Sequence, residues 1–94
     1  MDYQELRSAL LHKGQAQEDA GRDHSFFFIE VDGKLERATK MSHGARGQIN
    51  DELLSKMARQ MRLSVNELRQ FVQCTVGRKE WVENWSTRPG LWNR

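Results

Sequence analysis

Proton-transfer or soft-ligand chemistry in this chain has to start from three histidines, His12, His24 and His43, and one cysteine, Cys74. No two of them stand at the short C-x₂-C or H-x₃-H spacings from which zinc sites are built, so no metal site and no cofactor are expected. The sequence contains no P-loop, dinucleotide-binding glycine pattern or serine-hydrolase elbow. His24 is the most informative of the four. It follows Gly21-Arg22-Asp23 and opens the aromatic segment that reads as the central strand. A neutral imidazole can take the proton of a ribose 2′-hydroxyl and return it, which is the chemistry of RNA cleavage. In a regular strand Asp23 points to the opposite face and is not an obvious orienting partner; the plain alternative is a strand-edge histidine with no catalytic role. Arg37, Lys40, His43 and Arg46 form a basic centre with no acid among residues 37–49, suited to holding phosphates or simply to being solvated. The loop Ser42–Gly47, with two glycines and an arginine before a helix, reads either as a phosphate loop or as a flexible connection capped by Asp51 and Glu52. Cys74, following the stripe Leu68, Phe71 and Val72, reads as a buried, inert thiol.

The elements that must position these groups follow from periodicity. Residues 3–13 read as a helix with Tyr3, Leu6, Ala9 and Leu10 on one face and Gly14 as its stop. Ala16–Asp19 allows a short edge strand. Residues 25–31 read as a strand ending at Asp32-Gly33, with residues 34–41 returning as its hairpin partner. A three-residue bulged turn would set Phe27, Ile29, Val31, Leu35 and Met41 on one apolar face, with Arg37 and Thr39 as its polar members. That register is preferred to a two-residue turn, which would put Lys34, Glu36 and Lys40 there. His24, Phe26, Phe28, Glu30, Glu36, Ala38 and Lys40 then occupy the other face, where two phenylalanines call for a cover. From Ile49 the period becomes helical: Ile49, Leu53, Leu54, Met57, Ala58 and Met61, with Asn50 as N-cap. Ser64-Val65-Asn66-Glu67 is a capping box opening a further helix through Leu68, Phe71 and Val72. Residues 57–72 also read as a helix-turn-helix, with Arg62 where such turns usually carry glycine. Trp81 and Trp85 lie at helical offsets in 78–86, and Trp92 follows the break at Thr87–Gly90. The predicted role of the C-terminal helix is to cover Phe26 and Phe28; a partner or oligomer surface made by Trp81, Trp85 and Trp92 is the alternative.

Composition removes other classes. Ninety-four residues allow one domain. With 15 basic and 13 acidic side chains the net charge is +2, too small to argue for nucleic acid without the clustering just described. A chain that is 30% charged and 37% apolar with one proline is neither collagen-like nor low-complexity. A single cysteine suits a reducing compartment. The longest apolar run, Phe26–Ile29, is far short of the roughly twenty residues a membrane span needs. The first residues lack the basic and apolar stretches of a signal peptide. The expectation is a soluble, cytoplasmic α+β domain: a small antiparallel sheet of two or three strands with helices packed on it, in the order α-β-β-(β)-α-α, plus a C-terminal Trp-rich helix.

In its order of elements and in its motifs the chain resembles the HicA family of small bacterial toxins, which have a double-stranded-RNA-binding-like fold. The resemblance covers residues 3–72. It rests on the N-terminal helix Leu6–Lys13, His24 just before the central strand, Thr39-Lys40-Met41-Ser42-His43 closing the return strand, and the helical run from Leu53 to Val72. It implies a HicA-like domain over 1–76, extended by a helical segment over 77–94 that is part of the same domain. It further implies metal-independent cleavage of messenger RNA with His24 as the catalytic residue, Arg37, Lys40, His43 and Arg46 on the phosphates, and a HicB-type antitoxin as partner. Asp23 before the histidine departs from the small residue usual in that family. The alternative function is a non-enzymatic protein- or DNA-binding module working through the Trp-rich C-terminus or the helix pair 50–72.

Overall fold

The N-terminal apolar stripe folds into α1 (Tyr3–Ser8), capped by the Asp2 side chain on the Gln4 N–H, and continues as a π-helical turn over Ala9–Lys13. A computed structural model describes residues 1–73 and 76–88; Cys74 and Trp92 lie outside the described residues. Gly14 is the C-cap that ends this helical segment, but without the left-handed conformation its type suggests. Its φ is −77°, and the left-handed residue that turns the chain is Gln15. Gly14 is required by packing instead: a Cβ there would stand 2.7 Å from Cζ3 of Trp81 and 3.1 Å from Cζ of Phe71.

Three strands follow, β1 (Gln17–Ala20), β2 (His24–Val31) and β3 (Lys34–Ser42), in one antiparallel sheet of order β1-β2-β3. The expected bulged turn is not formed. Asp32 (φ 52°) and Gly33 (φ 80°) are both left-handed and make a two-residue loop, whose twist suits the flanking strands, so Val31 pairs with Lys34. The extra residue is inserted further along, where Phe27 faces Thr39 and Phe28 faces Arg37, with Ala38 between them. Each candidate register therefore holds over one half of the hairpin. Near the turn, Leu35 pairs with Glu30, leaves the core and is 54% exposed. Past the bulge, Thr39 and Met41 share the buried face with Phe27 and Ser25. Ala38 is buried rather than outward, and Arg37 moves to the outer face.

Helices α2 (Asp51–Gln60) and α3 (Val65–Val72) begin where the caps are read: Asn50 accepts from the Leu53 N–H, and Ser64 and Glu67 form a reciprocal capping box. Arg62, between them, has φ 60°, the conformation for which glycine is usual. Helix α4 (Arg78–Trp85) buries both its tryptophans, at 1% and 3% exposure. They do not cover the second face of the sheet. Trp81 donates its ring N–H to the Met61 carbonyl at 2.8 Å and its ring lies 5.1 Å from Phe71; the Trp85 ring is stacked by the Arg62 guanidinium at 4.1 Å. Arg62 and Arg88 complete this seat, Arg62 donating to the Trp85 carbonyl and Arg88 to the Arg62 carbonyl and to both Glu67 oxygens. Trp81 and Trp85 are thus core residues.

The architecture is α+β, with element order α-β-β-β-α-α-α. One core joins Leu6, Leu10, Phe27, Ile29, Leu54, Met57, Leu68, Phe71, Trp81 and Trp85. A buried hydrogen bond of 2.8 Å from Thr39 Oγ1 to Gln60 Oε1 ties β3 to α2, and Lys13 caps the last carbonyls of α3, Phe71 and Val72. Phe26 and Phe28, both partly buried, are not part of this core as formed by the described residues.

Candidate nucleic-acid interface

Strand alternation fixes what the outer face of the sheet displays. The central strand contributes His24, Phe26, Phe28 and Glu30. Pairing adds Gln17 and Asp19 from β1, and Leu35, Arg37, Lys40 and Ser42 from β3. Arg37 and Lys40 are three residues apart and would point to opposite faces of a regular strand. The bulge at Ala38 puts both outward. Bulges commonly re-aim side chains in this way.

The residues around Phe26 carry the chemistry. The Arg37 guanidinium lies over its ring, 5.1 Å from the centroid, and the His24 ring is 6.4 Å away with a 49° tilt. Lys40 is the cross-strand neighbour of Phe26 on β3, and Asp19 its neighbour on β1. Charge is therefore divided across the sheet: acidic on the β1 side, basic on the β3 side. His24, Phe26, Phe28 and Lys40 are partly buried, while Arg37 is exposed. His24 and Lys40 also line a cleft of about 250 Å³ against α2, with Tyr3, Ser42, Lys56 and Gln60.

His43 and Arg46 stand apart from this group. They line a neighbouring cleft of about 320 Å³ between α1 and the end of the sheet, with Tyr3, Arg7, Glu18 and Ser42. The His43 backbone N–H donates to the Asp23 carbonyl at 3.1 Å, and its Nε2 lies 2.7 Å from the Gly21 carbonyl. A carbonyl only accepts, so Nε2 carries the proton, and the ring pins the β1–β2 turn that presents His24. Arg7 is paired with Glu18 within the same cleft. The two clefts share Tyr3, Met41 and Ser42 as walls, so Arg46 lies on a path that continues from Lys40.

The structure thus gathers three of the five residues singled out in the sequence, His24, Arg37 and Lys40, around one aromatic ring. His43 and Arg46 are in the adjoining cleft. In the sequence Phe26 and Phe28 present a face awaiting a cover rather than part of a site. Their excess over what an outer face needs was the available signal. No group of three or more His, Cys, Asp or Glu able to hold a metal is found among the described residues, and no described helix is long and apolar enough to cross a membrane. No family model matches the sequence, and neither a curated protein nor a solved structure matches it.

Proposed function

We propose that this chain is a small RNA-binding protein of the HicA-like type, a metal-independent ribonuclease whose acid–base residue is His24 on the outer face of the sheet. The observation that carries this reading is the meeting of His24 and Arg37 on the Phe26 ring, with Lys40 as its cross-strand neighbour. An imidazole at that place can remove the 2′-hydroxyl proton of a bound ribose. The freed oxygen attacks the adjacent phosphorus, giving a cyclic phosphate and releasing the 5′-oxygen, which takes up a proton. Arg37 and Lys40 lie on the side where the phosphate charge must be held, and His43 acts as a positioning residue by fixing the turn before His24. The burial of Trp81 and Trp85 supports the same reading against a module working through those rings, since both are already engaged by α2, α3 and Arg62.

The test is induced expression of the wild type and of His24→Ala in cells, followed by growth and by the integrity of messenger RNA. Growth arrest with fragmented messages for the wild type, and neither for His24→Ala, is the expected pair of results. A harmless wild type, or equal toxicity from both, refutes His24 as the catalytic residue.

A further inference from the structure

The outer sheet face is built in repeating rows. One row across the three strands reads Gln17–Phe28–Arg37, the next Asp19–Phe26–Lys40, and β2 and β3 continue into a third, His24–Ser42. In the first two an aromatic ring on the central strand has a cation at its side on β3. Successive rows are two residues apart, about 6.8 Å along the strand. One nucleotide of an extended strand spans such a step, whereas nucleotides stacked in a duplex advance only about 3.4 Å each.

We infer that the ligand of this face is single-stranded RNA in an extended form, one nucleotide per row, its bases stacked on Phe28 and Phe26 and its phosphates along Arg37 and Lys40. The inference rests on the RNA reading above and adds to it the substrate form and two base-binding residues, Phe26 and Phe28. Charge sets the path: Asp19 repels phosphate from the β1 side, so the backbone runs along β3 with the bases turned inward over β2. A base on Phe26 shares that ring with the Arg37 guanidinium, 5.1 Å from its centroid. The third row then brings the next linkage to His24, so cleavage falls beside two stacked bases. Leu35, 54% exposed next to Phe28 and opposite Glu30, extends the apolar surface at the hairpin end. Aromatic rings two apart on a central strand, flanked by cations, are a sequence-tolerant way to hold consecutive bases.

The test uses the full chain and a fluorescein-labelled 2′-O-methyl-oligouridine, which binds as a single strand but has no hydroxyl to react, with an RNA duplex of equal length as competitor. The single strand is expected to bind at least about tenfold more tightly than the duplex. Phe28→Ala is expected to weaken it about tenfold, the usual loss for one stacked base. Phe28→Leu, which keeps apolar bulk but has no ring, should weaken binding nearly as much. The unfolding temperature of each variant is compared with wild type, and a variant that does not retain it is replaced by Phe26→Leu. Equal affinity for duplex and single strand, Phe28 variants within twofold of wild type, absence of binding at low salt, or a self-association lost in Phe28→Ala each overturns the inference. Phe28-dependent binding without any RNA cleavage supports this inference and refutes only the nuclease reading. His24-dependent cleavage indifferent to both Phe28 variants does the reverse.

Discussion

Substituting Gly14 by alanine tests where the C-terminal helix packs. Gly14 has φ −77° and ψ −16°, a conformation alanine adopts without strain. On backbone grounds alone Gly14→Ala should stabilise the protein by about 0.4–1 kcal/mol, since the unfolded chain loses freedom. Packing opposes this. The added Cβ would lie 2.7 Å from Trp81 Cζ3, against the roughly 3.5–4.0 Å of an ordinary carbon contact, so the ring would have to retreat by about 1 Å. Trp81 has little room to do so: its N–H is held on Met61 at 2.8 Å, and Phe71 lies against its face. Overpacking of this kind costs about 1–3 kcal/mol, leaving a net loss of about 1–2 kcal/mol. For a domain of this length that lowers the unfolding temperature by roughly 4–8 °C per kcal/mol, readily seen by circular dichroism. Adding Trp81→Phe, which removes the offending carbon, should make the alanine substitution less costly than it is alone. A Gly14→Ala protein as stable as wild type, or more so, would mean that Trp81 is not seated against Gly14.

Three further outcomes follow from the same structure. The Glu67 carboxyl is held down to about 2, from an ordinary 4.5, first by the hydrogen bond from Arg88 and then by the Ser64 N–H. Its folded value is below its unfolded one, so the stabilisation is complete above about pH 4.5 and disappears as pH falls toward 2. With both partners about one-third exposed, screening reduces the effect to about 1–2 kcal/mol, and Glu67→Gln should flatten the acid limb of a urea-unfolding pH profile by that amount. Thr39→Val leaves the buried Gln60 Oε1 without its hydroxyl donor and should cost about 1–3 kcal/mol in chemical denaturation. For RNA binding, two phosphate contacts from Arg37 and Lys40 predict a log–log salt slope near −1.4, from about −0.7 per contact on a single strand, and Arg37→Ala should halve it; an unchanged slope removes Arg37 from the interface.

Features decided within a few residues were legible in the sequence. Asn50 and the Ser64–Glu67 box announced the starts of α2 and α3, because a cap is a local competition for the first free N–H groups. The strand from His24 and the apolar side of α4 were equally plain. The hairpin register was not. Its two halves have apolar faces out of phase by one residue, and a single-register reading had to sacrifice one of them; the chain instead moves the extra residue from the turn to Ala38. That shift carried Arg37 from the inner face to the outer one, so Arg37 was legible as part of a basic centre but its place beside Phe28 was not until the pairing was known. The destination of Trp81 and Trp85 was also hidden, because helical periodicity says that a face is buried but not against what. Arg62 stood out as a residue in a glycine position, and the structure accounts for it: a left-handed arginine there reaches back to stack on Trp85. His24 could be picked out by its type and place, whereas the anchoring of His43 on the Gly21 carbonyl joins residues 22 positions apart, and nothing in either segment signals it.

On the proposed function, RNA binds the outer face of the sheet, around His24, Phe26, Arg37 and Lys40. This is tested most directly by titrating the isotopically labelled full chain with a single-stranded 2′-O-methyl-oligouridine and following backbone amide and aromatic signals by NMR. The largest changes are expected on His24, Phe26, Phe28, Arg37 and Lys40, with the Trp81 and Trp85 ring signals unmoved. Changes concentrated instead on the exposed side of α3, at Asn66 and Arg69, with the sheet signals unaltered, would contradict it.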